Sequence, residues 1–230
     1  MDASLDTCIL INLYSSGSEE LLFEFFDELY FFEELHEKEL KKVNIPIYNK
    51  IKKEIENGRI KLITIKNLIE INMKSEYEDN LLTYKALLDD GEWKGIALAA
   101  TLGHEAFLTD DIKEFGPHYT LRIETVDEIM PFAFYELLYL KFLCGKIDAK
   151  SMHEKYDDIC KRISWPIKSK HDLNRTSFEI SMGRVGRRFS KRFGSERDVD
   201  WKSQFCEVRN INFKNKDQEL YQYMQSIQKV

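Results

Sequence analysis

Three observations predict an α/β fold built on a parallel sheet, followed by a mostly α-helical, basic C-terminal extension. Short apolar or β-branched runs are separated by helical stretches of about ten residues or more, a spacing that suits strands pairing in parallel. Beyond residue 125 the pattern turns almost wholly helical. The charge also changes sign there: residues 1–125 carry 25 acidic and 14 basic side chains, a balance of −11, and residues 126–230 carry 15 acidic and 20 basic, a balance of +5. We therefore divide the chain into an α/β domain, 1–125, and an extension, 126–230.

The first strand is expected within Ser4–Leu13, apolar apart from Asp6, Thr7 and Asn12, and running on into a helix. Leu21, Leu22, Phe25, Phe26 and Leu29 fall at helical spacing over Glu19–Leu29, with Ser18 as N-cap. Tyr30–Phe32 is the second strand and Glu33–Val43 a charged amphipathic helix. Pro46 opens another helix that Gly58 stops. Ile60–Ile65 reads as the third strand, Leu68–Leu88 and the small-residue segment Gly91–Leu102 as helices, and Ala106–Leu108 as the fourth strand. Tyr119–Ile123 is the fifth strand; helices over 126–145, 148–163 and about 171–193 follow.

Composition narrows the function classes. With 43% hydrophobic and 32% charged residues, the chain can bury a core, which excludes wholesale disorder. Asp2 and Asp6 interrupt the opening apolar stretch, so no secretory leader is expected. The most apolar run, Ile129–Leu143, is too short to span a bilayer and contains Pro131, Glu136 and Lys141. A cytoplasmic protein without membrane attachment is expected. Cys8, Cys144, Cys160 and Cys206 form no C-x-x-C pair, and His36, His104, His118, His153 and His171 are scattered. Zinc and disulfides are thus poorly supported, and any metal is expected on carboxylates, which select a hard cation.

In parallel sheets, ligands gather beyond the carboxyl ends of the strands. Asp6-Thr7 falls late in the first strand, Glu92 at the start of the small-residue helix, and Asp110-Asp111 directly after the fourth strand. A carboxylate in an apolar opening strand is costly to bury alone and becomes reasonable when several converge on Mg²⁺ or Mn²⁺. Such a centre can activate water and stabilise a phosphodiester transition state.

These residues carry a family resemblance. Leu5-Asp6-Thr7-Cys8-Ile9-Leu10-Ile11-Asn12-Leu13 resembles the opening strand and turn of PIN-domain nucleases. Gly91-Glu92-Trp93-Lys94-Gly95-Ile96-Ala97-Leu98-Ala99 resembles their central Gly-Glu helix start, and Leu108-Thr109-Asp110-Asp111-Ile112-Lys113-Glu114-Phe115 their late Thr-x-Asp segment. The resemblance implies a Rossmann-like three-layer sandwich and a Mg²⁺- or Mn²⁺-dependent endoribonuclease. Many members are toxins, which implies an antitoxin or regulatory partner; a homo-oligomer is a further expected partnership. It also implies Asp6 as first metal ligand with Thr7 in support, Glu92 as central acid, and Asp111, with Asp110 beside it and Thr109 before it, as the late acid. The family's second acid precedes a Leu on the helix after the second strand. Glu39-Leu40 matches best, with Glu37 in competition. The extension has no counterpart in the family.

Each residue also has a plainer role open to it. Asp6 can be a helix N-cap, Glu92 a first-turn acid, Asp110 or Asp111 a cap, and Glu39 part of a solvated helix face. Asn12 can orient a metal site or close a turn, and the histidines suit surface or core. A degenerate fold serving as an RNA-binding or protein-interaction module is the alternative to an enzyme. A structure-specific DNA nuclease ranks below both, because no glycine-rich helix–hairpin–helix follows the domain.

Lys161–Arg192 holds ten basic residues against Asp172 and Glu179, with Phe178, Phe189 and Phe193 interleaved. Cations with aromatics can track phosphates and stack on bases; the same cations can instead dock on an acidic surface. Arg184, Arg187, Arg188, Lys191 and Arg192 are the expected RNA contacts. Replacing Arg184, Arg187, Arg188 and Arg192 with Glu is expected to weaken RNA binding. The log–log salt slope should flatten by about 0.7 for each phosphate no longer neutralised. A titration at several salt concentrations checks this; loss of stability with an unchanged slope would identify docking instead.

Overall fold

Five short strands pair in parallel in the order β3-β2-β1-β4-β5: β1 (Ala3–Leu5), β2 (Leu29–Phe32), β3 (Lys61–Ile63), β4 (Ala106–Leu108) and β5 (Met130–Phe132). This computed structural model describes residues 1–85, 92–110, 129–163, 177–190 and 201–227, with backbone alone for Glu92, 186–190 and 201–204. Helices cover both faces of the sheet, and the architecture is a Rossmann-like α/β sandwich with a helical C-terminal part. Strand alternation shows the two buried faces directly. Phe31 meets His36 on one side of β2, and Phe32 meets Tyr77 on the other. No helix among the described residues is long and apolar enough to cross a membrane.

β1 passes through Asp6 into α1 (Thr7–Ser16), which ends where Gly17 takes φ 69° and returns its N–H to Leu13. The helix expected over Glu19–Leu29 is instead a 3₁₀ turn at Glu19–Phe23, and Ser18 makes no side-chain cap. The chain then extends: Asp27 N–H donates to the Met1 carbonyl and Ala3 N–H to the Glu28 carbonyl, which delivers Leu29 beside Ala3. After β2 comes a π-helical turn, Leu35–Leu40, continued by α2 (Lys41–Val43). Asn44 caps α3 (Ile45–Glu56) through Ile47 N–H, with Pro46 in its first turn.

Thr64 and Asn67 form a reciprocal capping box on α4 (Ile65–Glu70). The helix expected over Leu68–Leu88 is broken there: Asn72 turns left-handed at φ 60°, and α5 (Lys74–Lys85) starts anew. The small-residue segment forms α6 (Glu92–Leu102), followed by β4.

The expected fifth strand, Tyr119–Ile123, lies outside the described residues. The fifth strand of this sheet is Met130–Phe132, inside a segment read from sequence as helix. Pro131 is tolerated because β5 is an edge strand whose ladder to β4 uses Met130 N–H and the Phe132 carbonyl. Helix α7 (Phe134–Leu143) then begins, buried along almost its whole length, Glu136 included.

The chain divides into two compact units, Met1–Phe134 and Tyr135–Val230; the boundary expected at 125 falls outside the described residues. In the second unit, α8 (Ala149–Ile163), α9 (Ser177–Ser190), α10 (Trp201–Val208) and α11 (Phe213–Ile227) follow α7. Met152, Tyr156, Phe178 and Val185 are buried there, and His153 stacks on Phe178 and bonds the Tyr223 hydroxyl. Arg184 is half-buried on α9. The side chains of Arg187 and Arg188 lie outside the described residues, as do Lys191 and Arg192 entirely.

Gly95 sets how closely α6 approaches the sheet. A Cβ there would lie 2.6 Å from Phe107 Cε2 and 3.7 Å from the Leu5 carbonyl oxygen. Phe107 is fully buried, so its ring has no room to retreat. Gly95→Ala is therefore expected to destabilise the protein by about 1–3 kcal/mol, although alanine favours helices. The shift in urea midpoint checks it.

Candidate carboxylate site at the ends of β1 and β4

The sheet runs β1-β2-β3 in one direction and continues through β4 and β5 in the other, so β1 and β4 flank the point where strand order reverses. Open α/β sheets form their ligand crevice there. Leu5 pairs with Leu108, and Asp6 N–H donates to the Leu108 carbonyl at 2.9 Å. Asp6 and the Thr109-Asp110 pair thus leave adjacent strands together.

Asp6 is a buried carboxylate with two jobs. Its Oδ1 accepts from Thr7 N–H at 2.7 Å, capping α1, as one plain reading of the sequence allowed. Its Oδ2 accepts from the Thr109 hydroxyl at 2.8 Å and from the Cys8 thiol at 2.7 Å. Asp110, also buried, accepts from Asn12 Nδ2 at 2.8 Å and from Phe134 N–H, the first of α7, at 2.8 Å. Asn12 therefore orients a carboxylate rather than closing a turn. Cys8 links the two acids: its Sγ contacts Thr109 Oγ1 at 3.2 Å and receives Asp110 N–H at 3.2 Å. The sequence reading missed this role; its only local signal is that Cys8 lies two residues after Asp6, in the first turn of α1.

The π-helical turn sends the two candidate second acids in different directions. Glu37 turns to the surface and pairs with Lys41 and the Tyr48 hydroxyl. Glu39 is half-buried, and its carboxyl pKa is raised by burial and then by the Asp6 charge, against lowering by Thr7 and Lys94. Glu39 thus faces the Asp6 end of the site. Thr7 Oγ1 is buried beside it without a hydrogen bond of normal geometry. π-turns re-aim side chains within a helix and are frequent at functional sites.

Glu92 begins α6, but its side chain lies outside the described residues, and so does Asp111. His104 is a core residue, bonded to the Ser4 hydroxyl at 2.8 Å and kept neutral by burial, its pKa lowered to about 4. His36 is likewise buried, stacked on Tyr48, and its pKa is lowered by burial.

In comparisons with protein-family models, with curated proteins and with solved structures, no match to this chain was found. The site must be judged on its own chemistry. Among the described residues, no group of three or more His, Cys, Asp and Glu side chains is spaced to hold a metal ion. Two features nevertheless suit a hard cation. Burial raises the Asp110 pKa to about 6, so the folded protein bears a poorly compensated charge there at neutral pH. The two hydrogen bonds to Asp110 also leave about half of its lone-pair sites for a ligand.

The raised pKa has a definite sign. Between the unfolded value of 3.8 and the folded value near 6, the native state binds more protons than the unfolded state. This contribution to stability is full below pH 3.8 and is lost as pH rises through about 6. Asp110→Asn removes the charge and keeps an acceptor oxygen for the Phe134 N–H, while the Asn12 amide can turn to accept from the new NH2 group. In EDTA the variant is expected to remove this loss, on the order of 2–3 kcal/mol, and to be more stable than the parent at pH 8. Urea unfolding from pH 4 to 8 checks it; parallel curves for the two proteins would refute the assignment.

Proposed function

We propose that this protein is a PIN-type endoribonuclease that cuts RNA phosphodiester bonds with Mg²⁺ or Mn²⁺ in the cytoplasm. The observation that carries the reading is the buried pair Asp6 and Asp110, linked through Thr109 and Cys8 where strand order reverses, with Glu39 facing the same end. Asp6 and Asp110 would hold the cation with Glu92 and Asp111, while Thr109, Asn12 and Cys8 keep the first two carboxylates in register. The cation would supply activation of a water and neutralisation of charge at the phosphate. Glu39 takes up the proton of the attacking water, since a carboxyl of raised pKa is a better base than an ordinary one. Activity of this kind calls for restraint, and an antitoxin or other regulatory protein is the partner we propose.

A second reading is favoured by a specific observation: hydrogen bonds within the protein already occupy both oxygens of Asp6 and of Asp110. On that reading the fold is an RNA-binding or protein-interaction module without catalysis.

Asp6→Asn separates the two readings. Asparagine caps a helix as well as aspartate does, so the fold is retained. Losing a ligand should cost more than the roughly 10–100-fold that follows loss of an outer partner. RNA cleavage in Mn²⁺ is therefore expected to fall by more than about 100-fold. Mn²⁺ at about 100 times its Kd should stabilise the parent by about 2.7 kcal/mol and leave the variant unmoved. RNA left intact by the parent in Mn²⁺, with no change in Tm, would establish the binding module.

A further inference from the structure

The first turns of α6 lie against the carboxyl end of β1, where the backbone at Gly95 approaches the Leu5 carbonyl, one residue before Asp6. Lys94 immediately precedes that glycine. Its Nζ donates to Glu34 Oε1 at 3.0 Å, and Glu34 lies just past the end of β2. Lys38 donates to the same oxygen, also at 3.0 Å. The two lysines differ in setting: the Lys94 side chain is 22% exposed and that of Lys38 is 76% exposed. The Lys94 ammonium lies 5.2 Å from the centre of the Trp93 ring and acts electrostatically on Glu39. One glutamate therefore holds two cations at the edge of the acidic site.

We propose that Lys94 is a phosphate-binding residue of this site, held by Glu34 and transferred to a backbone phosphate of single-stranded RNA when the strand enters. This rests on the nuclease reading of the same carboxylates. A cluster of acids repels the polyanion it is meant to cut, so a cation is needed close by that does not neutralise the acids themselves. Lys94 meets both conditions, because its direct partner is Glu34 rather than Asp6, Asp110 or Glu39. The second lysine explains how it can leave. When Lys94 turns to a phosphate, Lys38 remains on Glu34, and no half-buried carboxylate is stranded without a counter-ion.

The test uses the full chain in the Asp6→Asn background, so that RNA is not consumed. Binding of a fluorescein-labelled oligouridine is measured in EDTA across a range of salt concentrations. Lys94→Met keeps the aliphatic stem and removes the charge. It is expected to raise Kd about tenfold, as removal of one charge-assisted hydrogen bond does, and to flatten the log–log salt slope by about 0.7. Lys94→Arg should restore both. Glu34→Gln should bind as tightly as the parent or more tightly, because the competitor for Lys94 is gone. Unchanged binding by Lys94→Met overturns the proposal, as does a Glu34→Gln variant that weakens binding as much as Lys94→Met. Should Lys94→Met fail to fold, Glu34→Gln decides alone by the same criterion. Binding in EDTA needs no cleavage, so failure of the nuclease reading, seen as absent cutting by the parent, is distinguishable from failure of this one.

Discussion

Two carboxyl groups buried side by side at the ends of adjacent strands impose the main constraint on the first compact unit. Removing a carboxylate from water is expensive unless hydrogen bonds and dipoles replace the solvent. Here each acid is given a helix start. Asp6 caps α1, and Asp110 accepts the first N–H of α7, so both charges sit where a helix dipole favours them. The Thr109 hydroxyl, the Cys8 thiol and the Asn12 amide complete the replacement. The β1–β4 pairing, the entry into α1 and the entry into α7 are thereby tied to one polar cluster.

Packing around that cluster follows from departures from regular structure. The π-helical turn after β2 separates neighbouring glutamates, sending Glu37 to the surface and Glu39 toward Asp6. Gly95 lets α6 lie directly on Phe107 and the end of β1; any larger residue would lift the helix and carry Lys94 away with it. The last residues before β2 are held in place by backbone bonds and by the ion pair of the Met1 amino group with Asp27. In each case a local feature puts a side chain, a helix or a strand where a plain repeat would not.

The charged groups near the ends of β1 and β2 have distinct partners. Burial raises the pKa of Asp110 and of Glu39 in spite of the hydrogen bonds that Asp110 accepts. Lys94 and Lys38 share Glu34, and Lys94 also acts electrostatically on Glu39.

Much of this was legible in the residues themselves. The Asp6-Thr7 and Thr109-Asp110 pairs mark strand ends, because a carboxylate after an apolar run breaks the buried pattern and can cap the helix that follows. Asn44 with Pro46, and Gly58 with Thr64, mark helix boundaries through backbone geometry that local sequence dictates. Where local signals are ambiguous, tertiary contacts decided. Met130–Phe132 became a strand because β4 offered it an edge, and a short apolar run does not by itself distinguish strand from helix. Glu39 and Glu37 face different surroundings because of a π-turn that periodicity does not reveal. The joining of Cys8 to Thr109 spans 101 residues. Local propensity determined boundaries such as the caps at Asn44 and Thr64, whereas the hydrogen bonds that join two distant acids exist only once β1 and β4 are paired.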